Sequence, residues 1–290
     1  MNILVALDGS EGAFNALRTA CRIAARSPAT VTAFFANKGQ EYTPGETGWT
    51  EIADRIASEL ESVGRRIIEE ARAIGRAEAT DVAAVVSHGL PAAAILNHVY
   101  DHGVVKLIAL GHSSIGKAAE GFVSSTTRTV VEWAKVPVLV TSSAVDFGRI
   151  VLAVDDPEST RKAAAFAAKL AGMVGAQVRI LSVVPSAEAV IALYRQIGEV
   201  PGISRYVEES QQAYDRMGEE ASSVARGVLE SSALRPETIV RKGRPAEEIL
   251  AAVGRDELLV IGLRSGPAGR RLGSVANRLL GSRSVTVVFV

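Results

Sequence analysis

The chain has 290 residues, 48% of them hydrophobic, with 32 Lys and Arg balanced against 32 Asp and Glu. That length suits about two domains, the apolar share excludes a disordered segment, and zero net charge excludes a binder that holds nucleic acid by a basic excess. The single cysteine, Cys21, excludes an internal disulfide and a thiolate metal cage, and an aromatic content of 5% does not suit a stacking surface for bases.

Met1-Asn2 leads directly into the apolar run Ile3-Leu4-Val5-Ala6-Leu7, which ends in Asp8-Gly9-Ser10. No basic n-region or cleavage site is visible, and no run approaches the ~18–20 apolar residues of a membrane helix. The expectation is a cytoplasmic chain with no membrane association. An Ala-rich helical stretch follows at 12–25, then the strand-like Val31-Thr32-Ala33-Phe34-Phe35 and a polar loop at 37–49. Ile52, Ile56, Leu60, Val63, Ile67 and Ile74 recur at helical spacing. Val85-Val86-Ser87 runs into His88-Gly89-Leu90-Pro91-Ala92. Leu107-Ile108-Ala109-Leu110-Gly111 opens a turn, and Pro137-Val138-Leu139-Val140-Thr141 closes the first half.

The same order then starts again. Ile150-Val151-Leu152-Ala153-Val154-Asp155 repeats the first strand and its aspartate 147 residues on. A helical stretch at 159–172 and the strand Val178-Arg179-Ile180-Leu181-Ser182 keep that offset. Arg241-Lys242-Gly243-Arg244-Pro245-Ala246 answers the Gly89 segment at an offset of 154, and Leu258-Leu259-Val260-Ile261-Gly262 answers 107–111 at 151. The drift marks small loop insertions and deletions. Strands that alternate with helices and are apolar on both faces predict an α/β fold. It consists of two doubly wound, five-stranded, parallel-sheet, Rossmann-like domains at 1–146 and 147–290, a pseudo-twofold tandem repeat. The joining stretch at 142–147 is short and is expected to keep the halves in contact, as in a fused dimer. The halves differ most at 185–205, where Ile191, Leu193, Tyr194 and Ile197 precede Pro201-Gly202. That segment and the 37–49 loop leave the carboxyl end of the second strand, as lids or partner surfaces or as plain surface loops.

Two places carry candidate chemistry. Asp8 and Asp155 end the first strand of each half. A carboxylate there can accept from a ribose or an adenine amine or help hold magnesium, or it can serve as a helix N-cap. The turn after the fourth strand reads Gly111-His112-Ser113-Ser114-Ile115-Gly116-Lys117, then Ser124-Ser125-Thr126. Its counterpart is Gly262-Leu263-Arg264-Ser265-Gly266, then Gly273-Ser274. Glycines let a backbone approach an anion, hydroxyls opening a helix offer donors, and Arg264, Arg270 and Arg271 can add charge-assisted bonds to phosphate. Strand ends and helix caps use the same residues. Gly111 to Lys117 spells the body of a P-loop, but Ala118 replaces the magnesium-binding hydroxyl and the turn follows the fourth strand. His98 and His102 share a helix face without an evident third metal ligand. No G-x-S-x-G elbow is present, and no G-x-G-x-x-G follows the first strand.

Taken together, strand-Asp-Gly-Ser, Ala-rich helix, Gly-x-Pro, Gly turn, small-residue helix start and Pro-Val-Leu-Val resemble the universal stress protein family in its tandem form. The resemblance covers nearly the whole chain and implies a fold like the adenine nucleotide alpha hydrolases. Nucleotide-binding members carry a turn similar to G-x2-G-x9-G-[S/T]. The first half keeps that spacing with Ser114 and Ser124 in place of two glycines. The second half keeps Gly262 and Gly273-Ser274 at a shorter span, with Ser265 in place of the second glycine. The resemblance implies a nucleotide site in the second half. Asp155 would serve the adenosine end, the backbone near Val183 the adenine, and Gly262, Arg264, Ser265, Gly273 and Ser274 the phosphates. Asp8, Gly9, Gly111, Ser114, Ser124 and Ser125 are the first-half counterparts. It also implies pairing of the two domains through their fifth strands, at 136–141 and 284–290; a further homodimer of tandem chains is left open. The function implied is a cytoplasmic stress-response sensor or regulatory module that binds ATP or AMP, with or without magnesium, in at least one half. It is not expected to be a fast enzyme, because no general base is evident. The alternatives are a protein-interaction module without nucleotide, and a slow ATP hydrolase in which Asp8 or Asp155 organises magnesium.

Overall fold

A computed structural model describes residues 1–37, 50–112, 123–187, 190–191, 203–266 and 269–290. They form two compact units, Met1–Asp146 and Phe147–Val290.

In the first unit the strands are β1 (Asn2–Leu7), β2 (Thr30–Asn37), β3 (Val82–His88), β4 (Val105–Gly111) and β5 (Val138–Thr141). The helices are α1 (Glu11–Ala25), α2 (Thr50–Ala77), α3 (Pro91–His102) and α4 (Ser125–Trp133). The sheet order is β3-β2-β1-β4-β5, and every pairing is parallel. The chain moves outward from β1 to β3, then crosses to the other side of β1 for β4. The carboxyl ends of β1 and β4 therefore flank a topological switch point, where open α/β sheets place their ligands. Ile3, Leu4, Val5, Leu107, Ile108 and Ala109 are all buried, as a sheet covered on both faces requires.

The second unit repeats this plan. Its main strands are β6 (Arg149–Val154), β7 (Gln177–Pro185), β8 (Glu237–Gly243), β9 (Glu257–Ile261) and, last in the chain, β12 (Thr286–Phe289). Its helices are α5 (Pro157–Val174), α6 (Ile203–Ser231), α7 (Pro245–Ala252) and α8 (Ser274–Gly281). The order β8-β7-β6-β9-β12 is again parallel throughout, with the switch point between β6 and β9. One feature is unexpected from the sequence. The turn after β9 folds into an antiparallel hairpin of β10 (Arg264–Gly266) and β11 (Gly269–Arg271). Gly269 adopts φ +99°, a conformation glycine takes at little cost.

Alanine-rich helices lie close on these sheets, and two glycines show how close. A Cβ added to Gly262, just after β9, would lie 2.5 Å from the Ser159 carbonyl oxygen in α5. A Cβ on Gly111 would fall on the backbone of Gly12 and Ala13 in α1. Both glycines were read from sequence as permitting an anion to approach. The structure adds a packing reason: helix and strand backbones meet there without room for a side chain. Among the described residues no helix is long and apolar enough to cross a membrane.

Candidate functional site

At the switch point of the second unit lies a cleft of about 540 Å³, within the size range of small-molecule sites. Val154 and Asp155 at the end of β6 form its floor with Ile261 and Gly262 at the end of β9. Leu181 and Val183 of β7, Met217 and Tyr214 of α6, and Pro245 and Ile249 of α7 make a largely apolar wall. Pairing of β7 with β6 ends at Ser182, so Val183 continues past its neighbour beside the cleft. The mouth is formed by Arg264, Arg271 and the start of α8 at Gly273 and Ser274.

Asp155 and Asp156 are adjacent but do different work. Asp156 is the N-cap of α5 and accepts from the N–H groups of Glu158 at 3.0 Å and Ser159 at 3.2 Å. It also takes the Ser159 hydroxyl, and Arg264 Nε stands 3.5 Å from its second oxygen. Burial pushes the Asp156 carboxyl up, but these hydrogen bonds and the Arg264 charge outweigh it and hold the group below its ordinary value. Asp155 accepts the Asp156 N–H at 2.8 Å and, more distantly, the Ser159 hydroxyl at 3.5 Å, both on Oδ1, and it lines the cleft. Enclosure by the cleft walls raises its carboxyl, and the nearby Asp156 charge adds to that, while the Asp156 N–H and Arg264 pull it partly back. The capping role that the sequence left open for Asp155 thus belongs to its neighbour, and Asp155 keeps acceptor capacity toward the cleft. In the first unit the cap is likewise not the strand-end aspartate. Ser10 caps α1 by accepting from Ala13 at 3.2 Å, and Asp8 accepts the Ser10 N–H at 2.9 Å. Gly9 between them has φ +80°.

The hairpin sets Arg264 directly opposite Arg271. Ser265 lies on β10, and its side chain falls outside the described residues. Gly273 is the N-cap of α8 at φ −68° and ψ 175°, and, having no side chain, it makes no cap hydrogen bond to that helix. A Cβ at Gly273 would meet nothing within 4 Å. The corresponding turn of the first unit is finished differently. Ser124 caps α4, its hydroxyl oxygen accepting the Thr127 N–H at 3.1 Å and standing 2.9 Å from the Thr127 hydroxyl. Ser125 is the first residue of that helix. Ser114 and the P-loop-like Gly116, Lys117 and Ala118 lie outside the described residues, as do most of the 37–49 loop and of the 185–205 segment. The rings of His98 and His102 stack at 4.2 Å, and His102 Nδ1 lies 3.0 Å from the His98 carbonyl.

Sequence reasoning missed the α6 and α7 walls. Tyr214, Met217 and Gly218 recur at helical spacing, which was the available signal, but nothing in that spacing says which strand end they cover. Gly218 brings α6 close to β7: a Cβ there would stand 2.8 Å from the Ser182 hydroxyl.

The sequence model of the universal stress protein family matches this chain twice, over residues 1–142 and 146–290. Universal stress protein YxiE of Bacillus subtilis (strain 168) is 28% identical over 143 residues, which is 48% of this chain and 96% of that protein. A crystal structure of a universal stress protein from Archaeoglobus fulgidus DSM 4304 aligns with a TM-score of 0.68 at 16% identity, covering 99% of this chain and 97% of the other. A functionally unknown protein from Pseudomonas aeruginosa PAO1 aligns at 0.56 and 16% identity, covering 100% of this chain and 92% of its own. At these identities the structural likenesses speak to the fold.

Proposed function

The chain belongs to the universal stress protein family as a tandem of two such domains, and from that premise we propose that its second unit is a regulatory module that binds an adenine nucleotide, ATP or AMP. The observation that carries this reading is the open start of α8. Its first turn lines a cleft at the switch point and its N-cap residue, Gly273, has no side chain to cap it, at a helix end that favours negative charge. The rest of the cleft supports the same ligand. The apolar wall of Val183, Met217, Pro245 and Ile249 suits a flat base. The second carboxylate oxygen of Asp155 suits a ribose hydroxyl, and Arg264, Arg271, Gly273 and Ser274 suit phosphate oxygens.

Gly273→Val tests this directly. The backbone angles at Gly273 are open to any residue and an added Cβ meets nothing within 4 Å, so the variant is expected to fold. The valine takes the space that a phosphate needs against the helix start. Calorimetry is expected to show ATP binding lost and the melting temperature kept; equal affinity in the variant would sink the assignment. Mass spectrometry of the denatured, freshly purified chain supplies a second check, with co-purified ATP or AMP as the expected result.

For the first unit the Ser124 cap favours the other reading, a protein-interaction domain without nucleotide. The hydroxyl already occupies the helix start that a phosphate would use. Asp8→Ala is accordingly expected to leave nucleotide stoichiometry unchanged.

A further inference from the structure

We propose that Arg264 and Arg271 act as a two-point clamp on the terminal phosphates of a nucleoside polyphosphate, so that the second unit prefers ATP to AMP and holds it without a divalent cation. This rests on the nucleotide reading of the cleft and adds to it which nucleotide and by what charge.

The hairpin is where the argument starts. Arg264 and Arg271 are cross-strand partners, so their side chains leave the same face of β10 and β11, and both line the cleft. Like charges placed directly opposite one another repel, which disfavours the hairpin in the absence of an anion. An anion held between them turns the same arrangement into two charge-assisted interactions. Only part of this repulsion is relieved within the protein. Arg264 Nε reaches Asp156 Oδ2 at 3.5 Å, but that carboxylate is committed to the N-terminus of α5 through Glu158 and Ser159. Arg271 has no carboxylate partner among the described residues and is exposed at the mouth.

The chemistry of the two side chains selects the ligand. Each guanidinium presents a planar fork that fits two phosphate oxygens. A monophosphate resting on the start of α8 leaves one or both forks unfilled, whereas a chain of phosphates reaches them. Two fixed guanidinium groups carry the same charge as one divalent cation and stand where the phosphate chain would emerge. Magnesium on the phosphates would neutralise the charge that the arginines recognise. The clamp therefore favours the free nucleotide.

Calorimetry at matched ionic strength tests this with ATP and AMP, each with magnesium and with EDTA. The proteins compared are the full-length chain, Arg264→Ala and Arg271→Ala. ATP is expected to bind the native chain at least about tenfold tighter than AMP, from hydrogen bonds to charged groups, and at least as tightly in EDTA as in magnesium. Each substitution is expected to weaken ATP by about 10- to 100-fold, the range for losing a hydrogen bond to a charged partner, and to weaken AMP by a clearly smaller factor. An unchanged melting temperature establishes that the variants fold, since both side chains are exposed. Equal affinities for ATP and AMP, indifference of ATP binding to both substitutions, or loss of ATP binding in EDTA would each overturn the clamp while leaving a nucleotide site in place. Failure of both nucleotides to bind the native chain would overturn the clamp and the underlying reading together.

Discussion

The starts of α4 and α8 occupy the same place in two copies of one fold, and they differ by a hydroxymethyl group. Ser124 turns its oxygen back onto its own helix and satisfies the Thr127 N–H. Gly273 has no side chain to do so, and the same part of α8 opens onto a cleft. The cost of that choice is small, because glycine at an N-cap is only a few tenths of a kcal/mol poorer than serine. What it leaves is a helix start without a cap from its own N-cap residue. The same scaffold occurs twice, and on the proposed reading the helix cap decides which copy offers its turn to a phosphate. Beside it, the arginine hairpin adds charge at the mouth of the second cleft, where the described part of the first turn has no matching pair.

The part of the scaffold that both units share gives the largest expected effect. Gly262→Ala and Gly111→Ala each drive a Cβ into the backbone of the facing helix, at Ser159 in one unit and at Gly12 and Ala13 in the other. Each substitution is expected to cost about 1–3 kcal/mol, as overpacking against an unyielding backbone does. Urea unfolding monitored by circular dichroism measures it. Free tolerance of either alanine would mean that the close approach is not a structural demand.

The next effect separates the two neighbouring carboxylates of the second unit. Asp156→Ala removes the α5 cap and is expected to cost about 1 kcal/mol near neutral pH. The Asp156 carboxyl is held below its unfolded value. Its contribution is therefore present above the unfolded value and is lost as pH falls through the depressed folded one. The difference between native and variant midpoints should close in acid.

Asp155 carries the opposite sign and a smaller effect. Its carboxyl is raised in the folded state, chiefly by burial. The charged form therefore disfavours folding once pH rises through that raised value, and nothing is lost below the unfolded one. Asp155→Asn is expected to raise the melting temperature slightly at neutral pH, with the gain vanishing in acid, and to weaken nucleotide binding. A lower melting temperature at neutral pH would mean that the aspartate serves the fold and not the cleft.

Much of the fold could be read from the chain. The strand at Ile3–Asp8 and its copy 147 residues later mark the repeat. Alternation of apolar runs with helical spacing gives the parallel sheets, because periodicity reports directly on which faces are covered. The candidate site was legible at its sheet edge, where Asp155, Gly262 and Gly273-Ser274 each end or begin an element. Three things were not legible. The N-cap lies at Asp156 and not at Asp155, a shift of one residue set by where Pro157 allows α5 to begin. The reason for glycine at 111 and 262 lies in an approach between segments far apart in sequence. The pairing of Arg264 with Arg271 depends on a hairpin of two three-residue strands, too short to show an alternating pattern. Each depends on a distance between backbones or on a turn geometry, and residue spacing encodes neither.

The contrast between Ser124 and Gly273 is tested most directly by counting nucleotides. Titration of ATP into the native chain and into Gly273→Val, read by calorimetry, is expected to give one ATP per native chain and none in the variant, with the melting temperature unchanged. Two ATP per native chain, or one retained by the variant, would contradict the account.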